Sequence, residues 1–239
     1  RTDLPQRPEG RVEPAAARES SRCMQLQWGE VQVLTPEHLL SACHGLGIRD
    51  ARFLLDGPEV PILDGSAAPF ARAMVESGLT EGAPQEPLHL DTPVAVVDGS
   101  SMILCRPAPT FSATYVAHYP HPLVGTQVYE YGSDTDYLSQ IAPARTFGFL
   151  EEVEALRAQG LIMGGSLECA VVVMPDHFST PLRFPDELVR HKVLDLLGDL
   201  AVLGRPLAAH VIAVRTSHRL HVRLLHALAE RMTLCGRPA

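Results

Sequence analysis

The stretch FPDELVRHKVLDLLGD, residues 184–199, sets three titratable groups on one stripe of a helix. His191, Asp195 and Asp199 recur at i, i+4 and i+8, and residues that far apart share a face. Residues 185–203 carry the most regular apolar periodicity in the chain and predict its best-defined helix. An imidazole and a carboxylate one turn apart can chelate a single metal ion, and the next turn offers a carboxylate for positioning or proton-relay work. The spacing alone is weak, because such pairs arise by chance and are more often surface ion pairs.

A second segment raises the stakes. In TPEHLLSAC, residues 35–43, Thr35 reads as the N-cap, Pro36 as the first helical residue and Glu37 as a first-turn acid. Glu37 and His38 therefore sit at a helix tip. A histidine ligand beside a glutamate that does not ligate is a recurrent zinc-hydrolase pairing. His38, His191 and Asp195 would leave a fourth position open for water, which a zinc ion acidifies to a pKa of about 7. Glu37 is the expected general base, and His218 the expected acid if Asp199 holds it as imidazolium.

Outward from these segments the chain alternates strands and helices. A hairpin is expected from 23–28 and 31–34 around Gly29-Glu30, and a strand over Ala51 to Leu55. An ordered loop at 58–66 and a helix over 66–78 follow, with a linker at 81–87 and a domain boundary near residue 85. Strands are expected at 92–97, 101–106 and 111–119, then a helical stretch to about 142 and a strand-turn-helix over 145–159. A Val-rich strand at 169–174, the helix at 185–203, a strand at 211–215 and a helix over 218–232 complete the pattern, which is α+β.

Composition narrows the function classes. With 239 residues and 46% hydrophobic content, the chain can bury a sizeable core in one or two domains. A net charge of -8 carries no basic footprint, so nucleic acid is not an expected partner. No run of 18 apolar residues is present, so no transmembrane segment is expected, and the polar opening RTDLPQRPEG does not read as a signal sequence. A cytoplasmic monomer is the expectation. Five scattered cysteines without a CxxC pair read as small buried hydrophobes. Lys192 is the single lysine among 20 basic residues, and it adjoins a candidate ligand. The remaining histidines, His221 among them, read as surface or satisfied polar positions.

Taken in order, Thr35-Pro36-Glu37-His38, Gly45-Leu46-Gly47-Ile48, Pro58 to Ala67, His121-Pro122, Ala144 to Phe149, Gly164-Gly165-Ser166, Phe184 to Asp199 and His218 resemble the UDP-3-O-acyl-N-acetylglucosamine deacetylase (LpxC) family over about residues 1–230. The resemblance implies two domains, 1–85 and 86–239, each a layered sandwich of β-sheet and α-helices with the active site at their interface. It implies Zn2+, or Fe2+, on His38, His191 and Asp195, with Glu37 as base, His218 as acid, Asp199 as the carboxylate behind that acid, and Thr146 at the oxyanion. Phe147 and Lys192 match positions that meet the sugar and diphosphate of UDP-3-O-acyl-N-acetylglucosamine, and Gly165 and Ser166 fall at substrate-binding positions. A βαβ insert at about 146–170 would line an acyl passage with Leu150, Val153, Leu156, Ile162 and Ala170. The activity implied is removal of the N-acetyl group in lipid A biosynthesis.

The chain departs from the family pattern in places. By the resemblance, residue 1 corresponds to the third or fourth element of the family's first domain, and the Gly-Leu-His-Ser/Thr-Gly segment that the family carries near its active site is expected to fall outside these 239 residues. Pro36 stands for the usual valine, Ser217 for a glycine before the acid histidine, and Pro120 for an Asp or Asn. The competing expectation is a non-catalytic relative that keeps the zinc and binds UDP-sugars or a regulatory partner.

Overall fold

The computed structural model describes residues 1–20, 22–153 and 169–235. Four residues expected to meet substrate, Leu156, Ile162, Gly165 and Ser166, lie outside that set.

The first third of the chain builds a small antiparallel sheet from β1 (Ala17–Arg18), β2 (Gln25–Trp28) and β3 (Val31–Leu34). The expected hairpin forms, with Leu26 opposite Val33 and Gly29 turning at a φ of 58°. Two helices follow, α1 (Glu37–Gly45) and α2 (Ala68–Ser77). An exposed, irregular segment over 81–86 leads to β4 (Leu88–His89).

The second part centres on a mixed sheet. Its strands are β5 (Val94–Asp98), β6 (Ser101–Pro107), β7 (Ser112–Tyr119), β8 (Gly125–Tyr131) and β11 (Leu207–Val214), in the order β5-β6-β11-β7-β8, with β4 beside β11. Between β8 and β11 come α3 (Tyr137–Gln140), β9 (Phe147–Phe149), a helix α4 of which residues 150–153 are described, and β10 (Val171–Val173), parallel to β9. Helix α5 (Glu187–Ala201) precedes β11, and α6 (His218–Cys235) closes the described chain. Mixed sheets with helices packed against them make the fold α+β, as the pattern predicts.

Helix α5 is the centre of the packing. It touches α1, α6, β7 and β8, and is buried nearly all round. Leu188, Val189, Val193, Leu194, Leu196 and Leu197 are fully enclosed, each adding about 1.5–3 kcal/mol of apolar burial. The stripe His191, Asp195, Asp199 is as buried as its apolar neighbours, at 3%, 3% and 0% exposure, which removes the surface ion-pair reading. One apolar cluster runs from Leu26, Leu39 and Leu40 through Leu194 and Leu197 to Val211 and Leu224.

Contact between α1 and α5 requires a residue without a side chain. A Cβ on Gly198 would overlap the carbonyl oxygen of Glu37 and stand 2.8 Å from its carbonyl carbon and 3.0 Å from its Cα. These are backbone atoms, which cannot swing aside. A similar approach occurs at Gly65, with φ at 80° and a would-be Cβ inside the Cys169 carbonyl. That contact ties the 58–66 loop to the segment before β10.

Three expectations need correction. Ala51 to Leu55 forms no strand: the segment is largely exposed and, among the described residues, its backbone ladder contact is Thr2 N–H donating to the Leu55 carbonyl. The stretch before 142 is not continuous helix, since Gly125–Tyr131 is β8, paired with β7 from Ala113↔Tyr131 to Tyr119↔Gly125. Its β-branched and aromatic content suits a pleated, half-buried surface. The strand expected at 211–215 begins earlier, at Leu207, where β4 pairs alongside it.

Gly198→Ala is expected to destabilise the protein by about 1–3 kcal/mol through overpacking, read as a lowered urea midpoint with an unchanged slope. A variant as stable as the parent would show that α1 and α5 do not meet there.

Candidate metal centre

The tip of α1 is built differently from the expectation. Pro36, in helical conformation, is the N-cap, and its carbonyl accepts from Leu40 N–H at 2.9 Å. Thr35 does not cap. It sits at a φ of 55° and its hydroxyl donates to Glu59 Oε1 at 2.8 Å. A β-branched residue in the left-handed region is strained and persists only where its surroundings over-determine it. Here the β3 ladder on one side and the α1–α5 contact on the other fix the chain direction.

That direction carries Glu37 and His38 onto the α5 stripe. His38 Nε2 lies 3.7 Å from Asp195 Oδ1, and His191 Nε2 lies 3.4 Å from the same oxygen. The two imidazole rings meet edge-on, centroids 5.0 Å apart. His38, His191 and Asp195 each point one ligand atom into a space where all three lie within 4.8 Å of one another.

Protonation suits a cation. Burial pushes His38 down to about 3, and burial likewise lowers His191, so both rings are neutral and hold a lone pair. His191 Nδ1 faces the Ala144 carbonyl at 3.1 Å, which places its proton there and frees Nε2. His38 Nδ1 has no hydrogen-bond partner among the described residues. Burial alone would raise the Asp195 carboxyl, but the charges around it, with Lys192 and His218 cationic, hold it well below the carboxylate range. Two neutral imidazoles and an ionised carboxylate, converging in a buried space, fit a divalent ion.

The groups expected to move protons stand beside this cluster. His218 Nε2 is 3.8 Å from Glu37 Oε1 and 3.8 Å from Asp195 Oδ2, while its Nδ1 is 2.7 Å from Asp199 Oδ2. Met24 N–H donates to Glu37 Oε2 at 3.2 Å. Burial alone would lower His218, but Asp199 and Glu37 raise it to about 9, so the ring is imidazolium at neutral pH. Burial raises Glu37 to about 8, with Asp199 and Asp195 adding to it against His218. A divalent cation nearby favours the Glu37 carboxylate.

Lys192 Nζ donates to Asp195 Oδ2 at 2.6 Å, placing its charge at the edge of the cluster. Phe147 packs its ring 6.2 Å from that of His191 and also touches Tyr119, which in turn meets Phe149. Leu150, Val153 and Ala170 are half-buried near the ends of β9 and β10. Thr146 spans the two segments: its N–H donates to the Gly65 carbonyl and its carbonyl accepts from Val171 N–H. Its position is held by Arg145, whose N–H, Nε and Nη2 all donate to the Glu187 carboxylate at 2.8–3.1 Å.

His221, read as a surface or satisfied polar position, is satisfied and lies beside the candidate site. His221 is fully buried and its Nδ1 lies 2.6 Å from Asp199 Oδ2. The available signal was its place three residues after His218 on the same helix. Asp199, His218 and His221 also form a group of metal-ligand types within 4.8 Å. Both Nδ1 atoms are spent on one carboxylate oxygen, so this second group reads as a hydrogen-bonded relay.

The chain matches a family model described as UDP-3-O-acyl N-acetylglycosamine deacetylase over residues 1–230. It is 44% identical over 205 residues to a Leptospira biflexa protein named UDP-3-O-acyl-N-acetylglucosamine deacetylase, covering 84% of this chain and 68% of that one. A Myxococcus xanthus protein of the same name is 46% identical over 199 residues, covering 82% and 63%, and one from Thermosynechococcus vestitus is 41% identical over 233 residues, covering 97% and 81%.

Metal analysis of protein loaded with Zn2+ and desalted is expected to give one ion per chain. His38→Ala or Asp195→Ala should weaken binding by more than the 10–100-fold typical of losing an outer partner, and full retention in both variants would remove the centre.

The Arg145–Glu187 pair predicts an acid-side effect. Burial alone would raise the Glu187 carboxyl, but the Arg145 side chain and the Arg145 and Arg183 N–H groups hold it below its ordinary value. Its contribution is therefore full above the unfolded carboxyl's pKa of about 4.3 and lost as pH falls through the lower folded value. Glu187→Ala should cost about 3–5 kcal/mol at pH 7 by stranding Arg145, with the difference from the parent shrinking in acid denaturation curves below pH 4. A difference that stays constant across that range would contradict the linkage.

Proposed function

The chain belongs to the UDP-3-O-acyl-N-acetylglucosamine deacetylase family, and from that premise we propose that it hydrolyses the N-acetyl amide of a UDP-linked 3-O-acyl amino sugar. The products are acetate and a free amine, a step of lipid A biosynthesis. The observation that carries the reading is the convergence of Glu37 and His218 Nε2 on one small space beside Asp195, a base and an acid facing the open side of the candidate ligand set. A binding-only relative would need neither.

In this reading His38, His191 and Asp195 hold a zinc ion, or Fe2+, which supplies Lewis acidity toward the amide carbonyl and toward water. Glu37 takes the proton of the water whose oxygen bonds to the acetyl carbon. Thr146 donates toward the charge that grows on the carbonyl oxygen. His218 gives its Nε2 proton to the sugar nitrogen as the carbon–nitrogen bond breaks, with Asp199 keeping the ring in place.

Phe147, Leu150, Val153 and Ala170 offer apolar surface for the acyl chain, where each buried methylene is worth about 0.8 kcal/mol. Lys192 stands where a cation would meet the sugar or diphosphate. The same reading divides the chain near residue 85 into two layered domains, with α1 and α5 meeting across the division.

Acetate release from UDP-3-O-acyl-N-acetylglucosamine is expected to vanish on chelation and return with added Zn2+. Glu37→Ala should lower kcat by about 10²–10⁴-fold, the range of general base catalysis. Release that ignores both the chelator and the substitution would falsify the proposal.

A further inference from the structure

His221 has no part in the scheme above, yet it makes two short polar contacts beside the site. Its Nδ1 meets Asp199 Oδ2 at 2.6 Å, the same oxygen that His218 Nδ1 meets at 2.7 Å. Its Nε2 lies 2.8 Å from Thr216 Oγ1. Thr216 Oγ1 donates to the Tyr115 hydroxyl oxygen at 2.9 Å, and that hydroxyl donates to the Thr216 carbonyl at 3.0 Å. Tyr115, Thr216, His221 and Asp199 are all buried.

Counting protons along this chain fixes the side of the ring that faces Asp199. An ionised carboxylate only accepts, so the contact with Asp199 requires a proton on His221 Nδ1. The Tyr115 proton goes to the Thr216 carbonyl, and the single Thr216 hydroxyl proton faces the Tyr115 oxygen or, on turning, His221 Nε2. Burial lowers the affinity of His221 for a second proton, in keeping with a neutral ring. Asp199 Oδ1 has no partner among the described residues, so Oδ2 carries the whole hydrogen-bonding load of that carboxylate. With one donor removed, a single contact to His218 would have to hold Asp199 against rotation about its own side chain.

We propose that His221 is a positioning residue: by donating from Nδ1 to Asp199 Oδ2, and being held in turn by Thr216, it locks that carboxylate where it anchors His218. The consequence is that His218 presents Nε2, and no other atom, to Glu37 and the reacting amide. This deepens the deacetylase reading above and rests on it for the chemical step, while the hydrogen-bond chain itself stands on geometry. A merely structural role for His221 would change stability without selectively changing turnover.

The test compares metal-loaded wild type with His221→Leu, His221→Asn and Thr216→Val, measuring kcat and KM together with the Nδ1–H signals of 15N-labelled histidine. His221→Leu is expected to lower kcat about 10–100-fold, the effect of losing an outer partner, with KM and metal content unchanged and the His218 Nδ1–H signal lost to solvent exchange. His221→Asn places an amide N–H close to where the imidazole Nδ1 stands, and should restore most of kcat and the signal. Thr216→Val leaves Asp199 untouched and should move both readouts the same way by a smaller factor, which keeps the proposal open to refutation should the leucine variant fail to fold. A folded His221→Leu with wild-type kcat and an intact His218 signal overturns it, as does a folded His221→Asn that recovers neither. If wild type releases no acetate but the His218 signal still collapses in His221→Leu, the deacetylase reading fails and the positioning role survives.

Discussion

The approach of the Glu37 carbonyl to Gly198 is the constraint on which the site depends. Neither helix holds a complete functional set by itself: α1 brings Glu37 and His38, and α5 brings His191, Asp195 and Asp199. Only when the backbones touch do these side chains share a space, and they touch because position 198 carries no Cβ. The apolar residues around α5 drive the contact, but they would be satisfied by a looser crossing. Glycine specifies the closer one.

Burial at that crossing makes the electrostatics strict. Desolvating several ionisable groups is unfavourable unless each is paired, and the cluster is balanced accordingly. Asp195 and Asp199 are ionised, Lys192 and His218 are cationic, and Glu37 at about 8 keeps its proton in the absence of an ion. A divalent cation held among His38, His191 and Asp195 would shift that balance and favour loss of the Glu37 proton. The group proposed as the base would thus be the one whose charge responds to the ion. Strain lies along the approaches to the site as well: Thr35 at a φ of 55° and Arg215 at 53° are left-handed residues shortly before Glu37 and His218.

The candidate site was legible in the sequence where it obeyed local periodicity. The i, i+4, i+8 stripe of α5 and the helix tip at Glu37-His38 are statements about three to nine consecutive residues, and local geometry fixes them. Features set by distant partners were not legible. Thr35 has the residue type of a cap but donates to Glu59, a contact across 24 residues. Ala51 to Leu55 has strand composition but lacks a strand beside it, whereas Gly125–Tyr131 gains one from β7. Gly198 looks like a weak point in a helix until the Glu37 backbone is placed against it.

His221 shows the same limit from the other side. Asp199 and His218 were read together as an acid and the carboxylate behind it, a pairing the family resemblance repeats, and a lone further histidine on the same helix carries no comparable signal. What distinguishes it is an arrangement of protons: a tyrosine hydroxyl on a carbonyl, a threonine hydroxyl free to turn, a buried neutral ring and a carboxylate with one oxygen doing the accepting. That arrangement also separates the two clusters of metal-ligand types. In the first, His38 Nε2, His191 Nε2 and Asp195 Oδ1 face a common space while Lys192 takes the other carboxylate oxygen, so a cation can be held there. In the second, the histidine protons already face the carboxylate, and an ion would have to displace the hydrogen bonds that keep His218 in register with Glu37.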